Sequence, residues 1–173
     1  MAGSLELIKS DTVTSAVSTV LVTDVFSANF DVYKVTVTGF ELGGSPLSGH
    51  NLQFINSSGS TVTSSDYDSA TLGMKTLNTY SNDKTQNGTT GRIGMSIGTT
   101  PNEAVSTIFV FNPFSSSSYT FYLNQSMSWG NQWVGGKSMG VLKQTSSITG
   151  IAFTTNTTKT LNNGTVNIYG VKG

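Results

Sequence analysis

The sequence predicts an all-β protein, a single antiparallel β-sandwich of the jelly-roll kind that spans residues 1–173 and has about nine or ten strands. Three observations predict this fold. Apolar and polar residues alternate with a period of two in several segments. Clusters of Gly, Pro, Asn and Ser separate those segments at short intervals. No segment has a clear helical repeat. Among all-β architectures, a closed β-barrel is the alternative to the sandwich.

The composition agrees with one β-domain. A chain of 173 residues suits a single core. Charged residues make up 10% of the chain, whereas a quarter is usual, and there are 25 Ser, 26 Thr and 19 Gly. Aromatic residues reach 10% and the net charge is zero, which argues against disorder.

Three strands are predicted in the first 40 residues. The segments 4–10 and 12–24 alternate apolar with polar residues. The segment 30–40 has the cleanest alternation, since Tyr33, Val35 and Val37 share one side.

A fourth strand follows the loop at 43–49, with Leu52 and Phe54 on one side. Residues 57–91 are mostly polar and are predicted as a long excursion from the sandwich. Leu72 to Tyr80 in that excursion could form a turn or two of helix or a covering loop. A strand is predicted again at 92–97.

The segment 104–129 contains the densest run of large apolar residues and is predicted as the central hairpin. Asn112, Pro113 and the serines 115–118 supply its turn. After the turn, the larger apolar residues alternate with polar ones, so we expect the apolar side to be buried. These predicted inward residues are Tyr119, Phe121, Leu123, Met127 and Trp129. The predicted core combines Phe109, Phe111, Phe121, Leu123, Val35, Val37 and Ile168.

The last third of the chain predicts three more strands. Residues 135–142 are rich in glycine and are interpreted as an exposed edge strand on which Lys137 is the only charge. Residues 147–155 form the next strand, and Asn163-Gly164 marks a tight turn into the closing strand at 165–171.

Charge and cysteine content exclude several function classes. Zero net charge and the absence of a basic run argue against nucleic acid and acidic membranes as partners. Without cysteine, neither a disulfide framework nor a zinc–thiolate site can form, which favours synthesis inside a cell. We expect no secretory signal and no membrane span.

No motif predicts catalysis, a cofactor or a metal. Residues 130–138, GNQWVGGKS, lack the first glycine of a phosphate-binding loop, because Asn131 stands in its place. Asp66, Asp68 and Asp83 do not form a calcium-binding series. His50 is the only histidine and has no accompanying nucleophile motif.

Three residues are candidates for a ligand site or an interface: Trp133, Tyr122 and Lys137. Trp129 and Trp133, with Tyr119 and Tyr122 nearby, could offer ring faces to sugars, although we expect Trp129 to lie in the core. Trp133 stands in a glycine-rich loop and is the better ligand candidate. An aromatic residue at a subunit interface would explain it equally well.

Strand patterns over most of the chain resemble small bacteriophage virion proteins, namely tail-fibre, head-fibre and capsid-decoration subunits of jelly-roll form. The resemblance is carried by LELIKS at 5–10, FDVYKVTVTGF at 30–40, NLQFINSSG at 51–59 and, most specifically, GTVNIYGVKG at 164–173. It implies a non-enzymatic structural protein of the virion, made in the cytoplasm of a bacterial host. It implies no particular contact residues.

The leading hypothesis is therefore a virion subunit that acts by protein–protein assembly with capsid or tail proteins. We expect a homo-oligomer, with a trimer favoured because such appendages occupy three-fold positions. The alternative is a carbohydrate-binding β-sandwich module that recognises a glycan on the host surface.

Overall fold

The computed structural model describes residues 4–44, 48–77, 80–97, 99, 104–129, 132–155 and 157–173. These residues form fourteen strands and no helix, and all paired strands are antiparallel. The predicted all-β antiparallel sandwich is confirmed. The number of strands exceeds the predicted nine or ten, because two strands have only two residues and the polar segment 57–91 contributes two more.

The strands are numbered in chain order. Their bounds are β1 Leu5–Thr12, β2 Val20–Val22, β3 Val32–Thr38, β4 Glu41–Leu42, β5 Ser48–Asn56, β6 Tyr67–Lys75, β7 Ser81–Gly88, β8 Gly91–Ile97, β9 Ala104–Phe111, β10 Thr120–Trp129, β11 Trp133–Leu142, β12 Ile148–Thr155, β13 Leu161–Asn162 and β14 Thr165–Val171.

Two sheets form the sandwich. The large sheet has eight strands in the order β1-β14-β3-β9-β10-β11-β6-β7, and the small sheet has four in the order β2-β12-β5-β8. A two-stranded ribbon of β13 and β4 completes the fold. The face of the large sheet that is turned toward the small sheet is called the inner face below, and the opposite face is called the outer face.

The core lies between the two sheets. Phe54 on β5 contacts two tyrosines of the large sheet, with ring centroids 6.3 Å from Tyr67 and 6.4 Å from Tyr122. The Tyr67 hydroxyl accepts a hydrogen bond from Phe54 N at 2.8 Å and donates one to Val62 O at 3.1 Å. Both polar requirements of this buried hydroxyl are therefore met.

Several strands lie as predicted. Tyr33, Val35 and Val37 on β3 are buried together, and Ile168 on β14 joins them. Leu52 and Phe54 are fully buried on β5. Asn163 and Gly164 have φ angles of 52° and 90°, as a tight turn before the closing strand requires. Residues 45–47 of the predicted loop at 43–49 lie outside the described residues.

The predicted orientation of the central hairpin is wrong. On β10 the buried side chains include Thr120, Tyr122 and Asn124, whereas Phe121 and Leu123 are about half exposed on the outer face. The same reversal places Phe109 and Met127 outside the core. Phe111 and Trp129 are half-buried on the outer face, and Tyr119, just before β10, is exposed.

Two further predictions are corrected. Residues 57–91 are not a simple excursion, because they contain β6 and β7, which form a hairpin at one side of the large sheet. The helix or loop considered for Leu72 to Tyr80 is instead strand up to Lys75. The glycine-rich strand β11 is not an edge, since β10 and β6 flank it along its length.

Candidate functional site

The inner face beneath β10, β11 and β6 is polar because strand β8 lies very close to it. Cα atoms of β8 come within 8 Å of Cα atoms in each of these strands, whereas stacked sheets usually lie about 10 Å apart. At several inner positions only short side chains fit into that space. The buried residues at these positions include Ser69, Thr71, Ser138 and Asn124.

These polar side chains bind the backbone of β8, which is the edge strand of the small sheet. Asn124 Nδ2 donates to Ile93 O, and the Tyr122 hydroxyl donates to Arg92 O at 3.0 Å. Arg92 N donates to Ser69 Oγ at 3.4 Å. An exposed sheet edge leaves unpaired backbone groups, and here the facing sheet satisfies three of them with side chains.

Neighbouring polar groups on this inner face also satisfy one another. Ser106 Oγ donates to Asn124 Oδ1 at 3.0 Å, and the hydroxyls of Thr71 and Ser138 are hydrogen-bonded at 2.9 Å. Glycine at position 140 leaves room for the Tyr122 ring, because a Cβ there would lie 2.4 Å from three of its atoms. Ser69 on β6 and Tyr122 and Asn124 on β10 thus hold β8 from the inner face.

Strand alternation then places the large apolar residues of the same strands on the outer face. Cross-strand pairing arranges them in rows. Leu123 lies between Phe109 and Met139, and Phe121 lies between Phe111 and Val141. These two rows form one apolar band.

A second band crosses the same strands further along. Met127 lies between Val105 and Gly135, and Gly135 pairs with Met74. A row that contains Thr107, Gln125 and Lys137 separates the two bands.

The term "outer apolar face" is used below for nine side chains on β6, β9, β10 and β11, each between 36% and 58% exposed. They are Leu72, Met74, Val105, Phe109, Phe121, Leu123, Met127, Trp133 and Met139. Taking roughly 150–250 Å² for a fully exposed large side chain, they leave on the order of 700 Å² of apolar surface. The largest contiguous apolar patch on a typical monomer is about 300–600 Å², whereas here the apolar surface consists of two bands with the row of Thr107, Gln125 and Lys137 between them.

The outer apolar face contains a groove. One hollow of about 830 Å³ is lined by residues of β7, β6, β11, β10 and β9, among them Lys84, Leu72, Met139 and Phe109. A second hollow of about 700 Å³ shares Lys84 and Met139 with it, so the two are continuous. Residues of β7 and β9, four strand spacings apart, line the same hollow, so the large sheet curves around it.

An ion pair holds the edge strand β7 in this curve. Asp83 on β7 and Arg92 on β8 are 2.6 Å apart between carboxylate and guanidinium. Asp83 is therefore neutralised although it lines the groove. The other acidic residue at the groove, Asp68, pairs with Lys143 at 3.0 Å and accepts a hydrogen bond from Asn87 N at 2.8 Å. The hydrogen bond from Asn87 and the contact with Lys143 lower the pKa of Asp68.

The lysines of the outer face lack such partners. Lys137 stands in the row between the two apolar bands, and Lys84 stands on β7 opposite Ala70. Lys34 on β3 lies opposite Phe109. None of these three lysines forms an ion pair within the described part of the chain. The face is therefore apolar and positively charged, although the whole chain has no net charge.

The structure separates the three residues singled out from the sequence. Trp133 and Lys137 both lie on the outer face, and Trp133 is 44% exposed. The Trp133 ring contacts the Trp129 ring edge-on, with centroids 5.2 Å apart. Tyr122 is 1% exposed and its hydroxyl is bound to β8, so its side chain is not available to a surface ligand. Burial raises the pKa of the Tyr122 hydroxyl.

Sequence reasoning missed the rest of the face because it assigned Phe109, Phe121, Leu123 and Met127 to the buried side and placed Leu72 and Met74 in a polar excursion. The signal was present in β6, where Ala70, Leu72 and Met74 alternate with Ser69, Thr71 and Gly73. A repeat of this kind shows that one side is apolar, but it does not show which side faces the other sheet.

The described residues contain no group of three or more His, Cys, Asp or Glu that could hold a metal ion. No helix long and apolar enough to cross a membrane occurs among them. No family model matches the sequence, and comparisons with curated proteins and with solved structures give no match.

Proposed function

We propose that this protein is a non-enzymatic structural subunit of a larger assembly, in which another chain covers the outer apolar face. The observation that carries the proposal is the size of that face. On the order of 700 Å² of apolar surface is close to the roughly 800 Å² that each partner contributes to a standard protein–protein interface. Exposing this apolar surface to water is unfavourable, and covering it with another chain removes that cost.

The assembly that we propose is a bacteriophage virion, with the subunit attached to capsid or tail. The resemblance of the strands at 5–10, 30–40, 51–59 and 164–173 to head-fibre, tail-fibre and capsid-decoration proteins supports this part of the proposal. The low content of charged residues also supports it, because few ionic groups need to lose water when such a surface is covered.

The proposal can be tested with one charged substitution and a matched control. Leu123→Glu places a carboxylate in the middle of the outer apolar face, where the side chain is 51% exposed. Leu21→Glu introduces the same charge at a leucine on β2 that is 54% exposed, on the small sheet. Because both leucines are half exposed, we expect both variants to fold with thermal stability close to that of the wild type.

Sedimentation and particle binding provide the readout. At micromolar concentration we expect the wild type to form oligomers, with a trimer favoured, or to bind purified particles that lack this subunit. Leu123→Glu should lose that association and Leu21→Glu should keep it. A wild type that neither associates nor binds particles would contradict the proposal, and so would a Leu123→Glu variant that still assembles.

A carbohydrate-binding role is the second candidate, favoured by the exposed Trp133 ring with Gln125 and Lys137 on the same face. Sugars stack on aromatic rings and need polar partners around them. A glycan array with wild type and Trp133→Ala would separate the candidates. A reproducible sugar signal that is lost in Trp133→Ala would support the glycan site, and no signal from either protein would favour the assembly role.

A further inference from the structure

The charges around the groove indicate what kind of surface covers it, and this inference rests on the proposed function. Lys34, Lys84 and Lys137 stand on the outer face without an ion pair in the described part of the chain. The two carboxylates at the groove, Asp68 and Asp83, are each bound to a cation of this chain. The groove thus offers positive charge, and no carboxylate among its described lining residues is unpaired.

This arrangement argues against a symmetric pairing of two outer faces. An isologous interface would place the lysines of both copies in one interface, and the carboxylates that line the described groove are already paired. Like charges brought together at an interface weaken binding strongly. The partner surface is therefore different from the outer face itself.

The dimensions of the groove suit a single segment of chain. Strands β9 and β7, which line its two sides, are four strand spacings apart, or about 19 Å along the curved sheet. A helix with its side chains has a diameter of about 10–12 Å, and an extended strand is narrower. One amphipathic segment therefore fits within this width and can lie along the groove, as in other groove-binding complexes.

We infer that the groove binds an amphipathic segment of a partner protein, with large apolar residues on one side and Asp or Glu at its flanks. The apolar residues contact Phe109, Leu123 and Met139. The carboxylates pair with Lys84 on β7 and Lys137 on β11, one ammonium group on each side of Ala70 and Leu72. Charge pairing then fixes the register of the segment in the groove.

A displayed library of random 16-residue peptides tests this inference. Peptides selected on the wild type, after depletion on Leu123→Glu, should be enriched in Leu, Phe and Met and, several-fold over the library, in Asp and Glu. The double variant Lys84→Glu/Lys137→Glu should bind these peptides about tenfold more weakly and should itself select Lys and Arg. Both lysines are exposed, so the variant should melt at the same temperature as the wild type.

A matched control reverses two lysines elsewhere. Lys9→Glu/Lys172→Glu makes the same change in net charge on β1 and just after β14, and it should bind the selected peptides like the wild type. Three results would overturn the inference: selected peptides without acidic enrichment, binding that is unchanged in Lys84→Glu/Lys137→Glu, or no peptide that depends on Leu123. If Leu123→Glu abolishes assembly and any of these results is found, only this inference fails. If Leu123→Glu leaves assembly intact, the proposed function fails.

Discussion

Apolar and polar residues alternate in both halves of the large sheet, but the apolar residues face inward in one half and outward in the other. On β14 and β3 the inner positions are apolar, for example Ile168, Val35 and Val37, and the outer positions are mostly polar. On β10, β11 and β6 the inner positions carry Asn124, Ser138 and Thr71, and the outer ones carry large apolar residues. Strand β9, between the two halves, is apolar on both faces at Ile108 and Phe109.

The difference arises from what covers the inner face. The inner side chains of β3 and β14 belong to the apolar core, together with side chains of β12 such as Ile151 and Phe153. Beneath β10, β11 and β6 lies the backbone of β8, whose unpaired groups need donors and acceptors. Polar residues therefore face inward where they satisfy a backbone, and the large apolar residues of those strands lie on the outer face.

The largest effect that we expect contrasts an inner with an outer apolar residue on neighbouring strands. Ile108 is fully buried, so Ile108→Ala should destabilise the fold by about 2–5 kcal/mol. Leu123 is half exposed, and Leu123→Ala should cost less than about 1 kcal/mol. Urea denaturation of both variants measures the two free energies of unfolding. Equal losses would mean that Leu123 belongs to the core and would refute the orientation of β10.

A smaller loss of stability is expected when a polar side chain on the inner face is replaced. Asn124→Leu removes the donor to Ile93 O and the acceptor for Ser106, so two buried groups lose their partner. Each such loss costs about 1–3 kcal/mol, and we expect about 2–4 kcal/mol in total.

The control for this substitution is its neighbour on β10. Gln125→Leu changes the same type of residue on the outer face and should shift the free energy of unfolding by no more than about 0.5 kcal/mol. If the two variants were equally stable, Asn124 would not be holding β8.

The smallest effect concerns pH. His50 on β5 is buried between the rings of Phe40 and Phe153, and its Nε2 has no hydrogen-bond partner among the described residues. Burial lowers the pKa of His50 from 6.5 to about 3. The unfolded chain therefore binds a proton at pH 5.5 that the folded chain does not, and stability falls as the pH falls below 6.5.

We expect a loss of about 1 kcal/mol between pH 6.5 and pH 5.5 from this one group. The lowered pKa values of Asp66 and Asp68 act only at lower pH, because the usual pKa of their carboxyl groups is already 3.8. His50→Phe should abolish the slope in this window whatever its absolute stability. Chemical denaturation at closely spaced pH values measures it, and an unchanged slope in the variant would show that His50 is not its source.

Much of the fold could be predicted from the sequence where local pattern and tertiary packing agree. The alternation at 30–40 and at 51–56 gave the right strands and the right inward residues, because apolar side chains there face an apolar core. The turn at Asn163-Gly164 could be predicted because its positive φ angles favour those two residues.

The orientation of β10 could not be predicted, since it depends on β8, which is 23 residues or more away in the sequence. A period of two is the same for either orientation, and only the position of β8 decides between them. Strand β6 was missed for the same reason, because its inward residues are Ser69, Thr71 and Gly73. The outer apolar face, and with it most of the candidate site, is a consequence of that long-range packing.

The central claim is that short polar residues on β6, β10 and β11 face inward near β8 and large apolar ones face outward. Thiol labelling of β11 measures it directly. The chain has no cysteine, so Ser138→Cys and Met139→Cys each introduce a single thiol at adjacent positions. Ser138 is 4% exposed and Met139 is 58% exposed. In the native protein at submicromolar concentration, we predict that Met139→Cys reacts with a maleimide at nearly the rate of the unfolded chain, whereas Ser138→Cys reacts at least about a hundredfold more slowly. Rapid reaction of Ser138→Cys together with protection of Met139→Cys would contradict the orientation of β11 and, with it, the existence of the outer apolar face.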